Sequence, residues 1–382
     1  MKKVLIASTA LVAATLIHTG AAQASDKIKL ELGGYSKWWV VAAQQDSDYQ
    51  RSANGANQRD FNSVDIKGDN EVFFGGSTTL NNGLNVGINI ELEAGGTTDN
   101  TADTIDKSFV FVEGGFGKVI VGTEANGAAL LHVMAPDAAG NTDSEGLLTG
   151  GIAIANPGIR NQVTTAIDTD GDAEKITYVS PSFYGLTVGG SYIPNSTQDN
   201  RGATNLNTTG ANAVTTGEIY GVGGLYAKSF GGVDLKLSGG YVTYDLNTPV
   251  NRGTEDGVNE YSTGAQLAYA GFTVGGSYRK IEADRGAAPL DGTVWDAGIQ
   301  YASGPYAVSF IYFESNQDDA AVAGEDKFTV YQVSGKYSMG PGVDLLASVG
   351  HAEYNDETNK TSNGDDNHNK GWAVMTGLSL AF

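Results

Sequence analysis

The chain has 382 residues, no cysteine and a formal net charge of -21. The missing cysteines exclude a disulfide framework and a thiolate metal site, and the acidic excess speaks against nucleic acid as a partner. Eighteen tyrosines, 13 phenylalanines and 4 tryptophans argue against disorder, while 53 glycines with 8 prolines and no triplet period point to many turns in an all-β protein.

In chain order, Lys2 and Lys3 precede an apolar run from Val4 to Ile17, and Ala22-Gln23-Ala24 has the small-x-small form of a secretory cleavage site. Residues 1–24 therefore read as a signal peptide and residues 25–382 as one exported domain. The run is too short for a spanning helix, and no later stretch approaches the roughly 20 apolar residues that one needs.

From Lys27 to Val41, Ile28, Leu30, Leu32, Trp38 and Val40 share one parity, with Lys27, Lys29, Glu31 and Lys37 on the other. Leu84 to Leu92, Val233 to Tyr241 and Trp295 to Tyr301 alternate in the same way, so each strand has an apolar face and a wet face. Short connections fall at Asn81 to Gly83, Gly114 to Phe116, Pro181 to Gly185, Ser229 to Gly232, Ala270 to Gly271, Ala302 to Pro305 and Ser338 to Gly342. Between them lie long polar stretches, of which the third, Thr123 to Glu174, is far longer than an ordinary connection. Seven short turns alternating with eight long loops imply about 16 strands, an even number suited to a transmembrane barrel.

Tyrosine placement agrees. Tyr226, Tyr269, Tyr301 and Tyr337 precede short turns, and Tyr192, Tyr241, Tyr278 and Tyr312 precede long loops, all on the apolar parity. Amphipathic rings at both ends of an apolar face are what two water–lipid interfaces select. The last stretch, Gly371 to Phe382, keeps the alternation to its final residue. So apolar a strand needs a partner on both sides, which closure onto the first strand supplies, with Phe382 at the seam.

"KITYVSPSFYGLTVGGSY" (Lys175 to Tyr192), "GGFGKVIVGT" (Gly114 to Thr123), "LELGGYSKWW" (Leu30 to Trp39) and the terminal phenylalanine resemble signature stretches of Gram-negative general diffusion porins. The resemblance implies a 16-stranded antiparallel transmembrane β-barrel in the bacterial outer membrane, with a water-filled pore and a third extracellular loop, 123–174, folded inward as a constriction. It also implies a homotrimer, contact with outer-membrane lipid and lipopolysaccharide, and recognition by the outer-membrane assembly machinery. Pro136-Asp137 resembles the Pro-acid step of porin constriction loops, with Asp143 and Glu145 following. Acidic groups at a narrow point attract cations.

Lys37 resembles the first member of the arginine ladder that porins place opposite that loop. Where arginines would follow stand Glu71, then Asp106 beside Lys107, then acids just before Lys175; Arg160 and Arg279 are the remaining basic candidates for the wall. Such a wall implies preference for cations among small hydrophilic solutes. Asp168, Asp170 and Asp172 alternate like a calcium loop, but Ala173 and Val179 occupy the positions where an EF-hand needs glycine and glutamate. A looser Ca2+ site remains open beside the alternative of a solvated acidic loop, and no other cofactor is implied.

Glycine pairs such as Gly189-Gly190, Gly223-Gly224 and Gly275-Gly276 lie within strands, where they permit bending and close approach. No nucleophile motif supports an enzyme. The expected function is passive diffusion through a channel. The alternatives are a substrate-specific channel, for instance for sugars, which needs more inward aromatics than Trp39 and Phe73, and a plugged adhesive barrel, which the small inward residues Ser77, Ser191, Ser277 and Ser309 disfavour.

Overall fold

The computed structural model describes residues 27–51, 59–95, 105–141, 153–196, 215–247, 256–283, 291–318, 324–358 and 364–382. The proposed signal peptide, Asp143 and Glu145 lie outside them. The first eight strands are β1 (Glu31–Gln45), β2 (Val64–Thr79), β3 (Asn85–Glu93), β4 (Ile105–Gly114), β5 (Gly117–Gly122), β6 (Lys175–Val179), β7 (Leu186–Ile193) and β8 (Thr215–Phe230). The second eight are β9 (Val233–Asn247), β10 (Asp256–Tyr269), β11 (Phe272–Ala283), β12 (Gly292–Ser303), β13 (Tyr306–Asp318), β14 (Glu325–Gly340), β15 (Val343–Asn355) and β16 (His368–Ala381). Two short helices, α1 (Ser47–Arg51) and α2 (Gly127–Leu130), sit in the first and third long connections.

Each strand pairs antiparallel with its sequence neighbours, and β16 pairs with β1 from Tyr35–Ala381 to Gln45–Gly371, so the 16 strands close into a barrel. At the seam, Phe382 N donates to Gly34 O and Gly34 N to Phe382 O, both at 3.1 Å. Closure leaves no strand edge, the condition for a sheet to cross hydrocarbon. All seven short turns fall where the glycine-rich punctuation places them. The first strand differs: it begins at Glu31 rather than Lys27 and continues to Gln45, because Val41 to Gln45 still find partners on β16.

The outward parity is apolar and exposed, as at Leu237, Leu267, Val274 and Val333. The inward parity is not uniformly wet, contrary to the alternation. Trp39, Val41, Phe313, Phe328, Leu346 and Met375 form a buried cluster with Ile154 and Ile159. A second joins Ile193, Ile219, Val242, Val258 and Ile281 to Ile167 and Ala128. In both, lumen-facing apolar residues meet isoleucines of the third long connection. Ile154 and Ile167 are each 0% exposed, a burial that stabilises by about 2–3 kcal/mol per side chain.

Candidate functional site

The third connection docks on the lumen wall through backbone N–H groups that donate to inward side chains. α2 is capped by Asn126, whose Oδ1 accepts from Ala128 N at 2.8 Å and Ala129 N at 3.0 Å. Gly127 N donates to Ser191 on β7 (2.8 Å), Val133 N to Ser238 on β9 (3.0 Å), Ala135 N to Asp296 on β12 (2.9 Å) and Ala138 N to Ser309 on β13 (2.9 Å). Gln266 on β10 donates to Met134 O at 2.7 Å. Small inward serines thus serve as acceptors for an extended segment that would otherwise bury orphaned amides.

Glycine makes the close approach feasible. A Cβ on Gly264 would stand 1.8 Å from Val133 O, and one on Gly223 would stand 2.4 Å from Gly127 O. The inward members of the glycine pairs on β7 and β8, Gly189 and Gly223, together with Gly264 on β10, are therefore seats for the loop backbone.

The return limb, from residue 153 onward, is fastened in turn. Gln45 donates to Ala153 O (2.7 Å), Arg160 N to Asp326 (2.7 Å) and Gln162 N to Ser315 (3.0 Å). Thr165 joins both limbs to the wall: its Oγ1 donates to Asp296 Oδ2 at 3.0 Å, lies 2.5 Å from Ser277 Oγ and meets His132 Nε2 at 3.1 Å. Burial, with Arg279 nearby, holds the His132 imidazole down to about 4, so it is neutral at pH 7.

The residues singled out in the sequence divide into two groups. Asp137 is buried and accepts from Ala139 N (3.1 Å), Asn141 N (2.6 Å), Ser309 Oγ (3.1 Å) and Gln332 Nε2 (3.3 Å), so it pins the loop to β13 and β14. Arg279, 1% exposed, spends its guanidinium on Glu260, Asp168, Thr169 and Ala166 O. Lys175 pairs with Asp170 at 3.1 Å and donates to Gly171 O at 2.9 Å. Asp168 and Asp170 thus face separate cations of the chain itself, with Asp172 half-buried nearby. Among the described residues, these three acids do not converge as a group able to hold a metal ion.

The other group faces the lumen on β1 to β4. Lys37 lies 3.7 Å from Asp69 and donates to Gly140 O at 3.4 Å. The Tyr35 hydroxyl lies 2.8 Å from both Asp69 and Glu71. Carboxylate oxygens of Glu71, Glu91 and Asp106 come within 4.8 Å of one another, with Lys107 Nζ 3.4 Å from Glu91 and 3.6 Å from Asp106. Asp106 and Lys107 share this cluster because the β3–β4 register slips, Glu91 opposing Lys107 and Leu92 opposing Ile105. That bulge turns adjacent residues toward one place. The resemblance to the porin arginine ladder pointed to Glu71, Asp106 and Lys107 but not to Asp69 and Glu91, whose own signal was simply their inward parity on β2 and β3.

The loop tethers lie on β7 and β9 to β15, with two more on β1 through Lys37 and Gln45, while the acidic cluster occupies β2 to β4. The arrangement is that of a tube with a loop laid along one side and an excess of carboxylate on the other. It has the parts of a conduit.

A family model described as Gram-negative porin matches residues 7–375. No curated protein matches in sequence. Among solved structures, an anion-selective porin from Comamonas acidovorans is similar at 18% identity and a TM-score of 0.63, the alignment covering 93% of this chain and 100% of that one. A loop-deleted OmpT outer membrane protein of Vibrio cholerae aligns at 12% identity and 0.58, covering 94% and 100%, and a Rh. blastica porin mutant at 16% and 0.53, covering 93% and 100%. At these identities the likeness bears on the fold.

Proposed function

The chain belongs to the Gram-negative porin family, and we propose that it forms a cation-preferring channel for passive diffusion of small hydrophilic solutes across the bacterial outer membrane. Family and barrel imply the outer membrane and a non-enzymatic channel. The mechanism is exclusion by size where the third loop narrows the lumen, biased by inward charge. The observation that carries the ion preference is the β2–β4 sector, where Glu71, Glu91 and Asp106 crowd around a single Lys107. Arg279, across the ring on β11, and Lys175, on β6, are each paired with carboxylates and leave little free positive field.

A homotrimer is part of the reading. Outward tyrosines stand on every strand from β6 to β14, for example Tyr178, Tyr220, Tyr261, Tyr301 and Tyr331. Among the described residues, the outer faces of β15, β16 and β1 to β5 carry none. They present instead Val40, Ile66, Val110, Val121 and Val374, together with the aromatic Trp38 and Trp372. An apolar face without an interfacial tyrosine belt suits protein contact better than lipid. Ca2+ in the acidic loop has no support beyond its composition and forms no part of the mechanism.

Reversal potentials in a KCl gradient test the ion preference. Potassium should permeate several-fold better than chloride, and Glu71→Gln with Glu91→Gln should reduce that ratio by about half or more. A wild-type channel that favours chloride, or a ratio indifferent to both substitutions, would refute the assignment.

A further inference from the structure

A cavity of about 550 Å3 opens between the return limb and the wall near the loop ends of β9, β10, β11 and β13. The limb contributes Asn161, Gln162, Asp168 and Thr169, and the wall contributes Tyr244, Glu260, Arg279 and Gln317. Its charged floor is closed to a ligand. All five guanidinium N–H groups of Arg279 are used: Nε and Nη2 on Glu260, Nη1 on Ala166 O and Asp168 Oδ1, and Nη2 again on Thr169. Glu260 is equally occupied, since Oε2 holds Arg279 while Oε1 accepts from Thr169 and from Tyr244 at 3.3 Å.

The hydrogen-bonding capacity left over is mostly neutral. Among the described residues, the Gln162 carboxamide makes no hydrogen bond, offering two donors and an acceptor. Gln317 commits its Nε2 to Asn316 O at 2.9 Å and keeps Oε1 as an acceptor. Asp168 meets Arg279 through Oδ1 and is exposed, so Oδ2 remains to accept. Ile159 and Ile281 supply apolar flanks. Arg279 is compensated by Glu260 and Asp168, so an entering ion of either sign finds its counter-charge already engaged. What fits is a neutral molecule that both donates and accepts along its rim and presents C–H faces.

We propose that this cavity is a binding subsite for neutral saccharides of one or two rings, for which its volume lies within the range of small-molecule sites. The inference rests on the channel reading for access, and deepens it by naming a solute class that pauses in the lumen on its way through. Hydroxyls donate to Asp168 and Gln317 and accept from Gln162, while the isoleucines cover the ring faces.

Maltose added to wild-type protein in planar bilayers should lower the potassium current saturably, beyond the effect of viscosity. Gln162→Leu should raise the half-blocking concentration about fivefold, the loss expected for one hydrogen bond, and Gln317→Leu should raise it similarly; heat-modifiable mobility on gels confirms that each barrel is folded. A conducting channel with no saturable block, a block unchanged in both variants, or stronger block by gluconate or glucosamine than by maltose would overturn the subsite. Should the protein conduct nothing, the channel reading falls on that result alone. Calorimetric titration of maltose into the detergent-solubilised protein then decides the subsite, binding supporting it and silence overturning it.

Discussion

Burial, with Arg279 nearby, keeps His132 a neutral ring among its neighbours. With the Thr165 hydroxyl proton on Asp296, His132 Nε2 carries the hydrogen in their 3.1 Å contact, and Nδ1 is buried without a hydrogen-bond partner. Protonation would place a second donor and a charge in that dry position. With the native value near 4 and the ordinary one near 6.5, the unfolded chain binds this proton between those limits while the native protein does not. Native stability therefore falls as pH drops from about 6.5 toward 4, by about 3 kcal/mol at most. Thermal unfolding in detergent at pH 7 and pH 4.5 should show the drop, and His132→Gln, which keeps a donor toward Thr165 but cannot take a proton, should shrink it. An equal drop in the variant would remove His132 from the account.

At the scale of the element, the third connection is held by backbone donors, isoleucines and glycine seats, and these were only partly legible in the sequence. Its length and its boundaries at Thr123 and Glu174 were readable, since β5 ends at Gly122 and β6 begins at Lys175. The inward serines were readable too, though as small residues rather than acceptors. The glycine pairs were seen as relief for the wall, because nothing local shows that a segment some hundred residues earlier lies on them. Asp137 and Arg279 read as lumen charges, yet buried partners from distant strands absorb both; Ser309 and Gln332 lie well over 150 positions from Asp137. If the seat matters, Gly264→Leu should lift the first limb from β10, since even a Cβ there meets Val133 O at 1.8 Å. Overpacking of this kind costs about 1–3 kcal/mol. The barrel should still form while single-channel conductance and its noise change clearly; wild-type traces from a folded variant would mean that the limb is not seated there.

For the whole molecule, alternation and turn spacing were enough to number the strands and close the ring, because a one-residue slip would invert every side chain and lipid would punish it. The β3–β4 bulge escaped that logic, being a local breach of parity with no sequence mark. How barrels meet one another lay further out of reach in the sequence, and the outer surface now argues it. Tyrosines ring the wall from β6 to β14, while Ile66 on β2, 64% exposed, stands in the sector that lacks them. A lipid-facing position accepts a tryptophan readily, whereas a packed interface between barrels does not. Ile66→Trp should therefore convert trimers to monomers in mild detergent without loss of the folded barrel, and Val274→Trp, on β11 beneath the tyrosine belt, should leave the trimer intact. Light scattering coupled to size exclusion distinguishes the outcomes, and a wild-type protein that is already monomeric would place the bare sector against lipid after all.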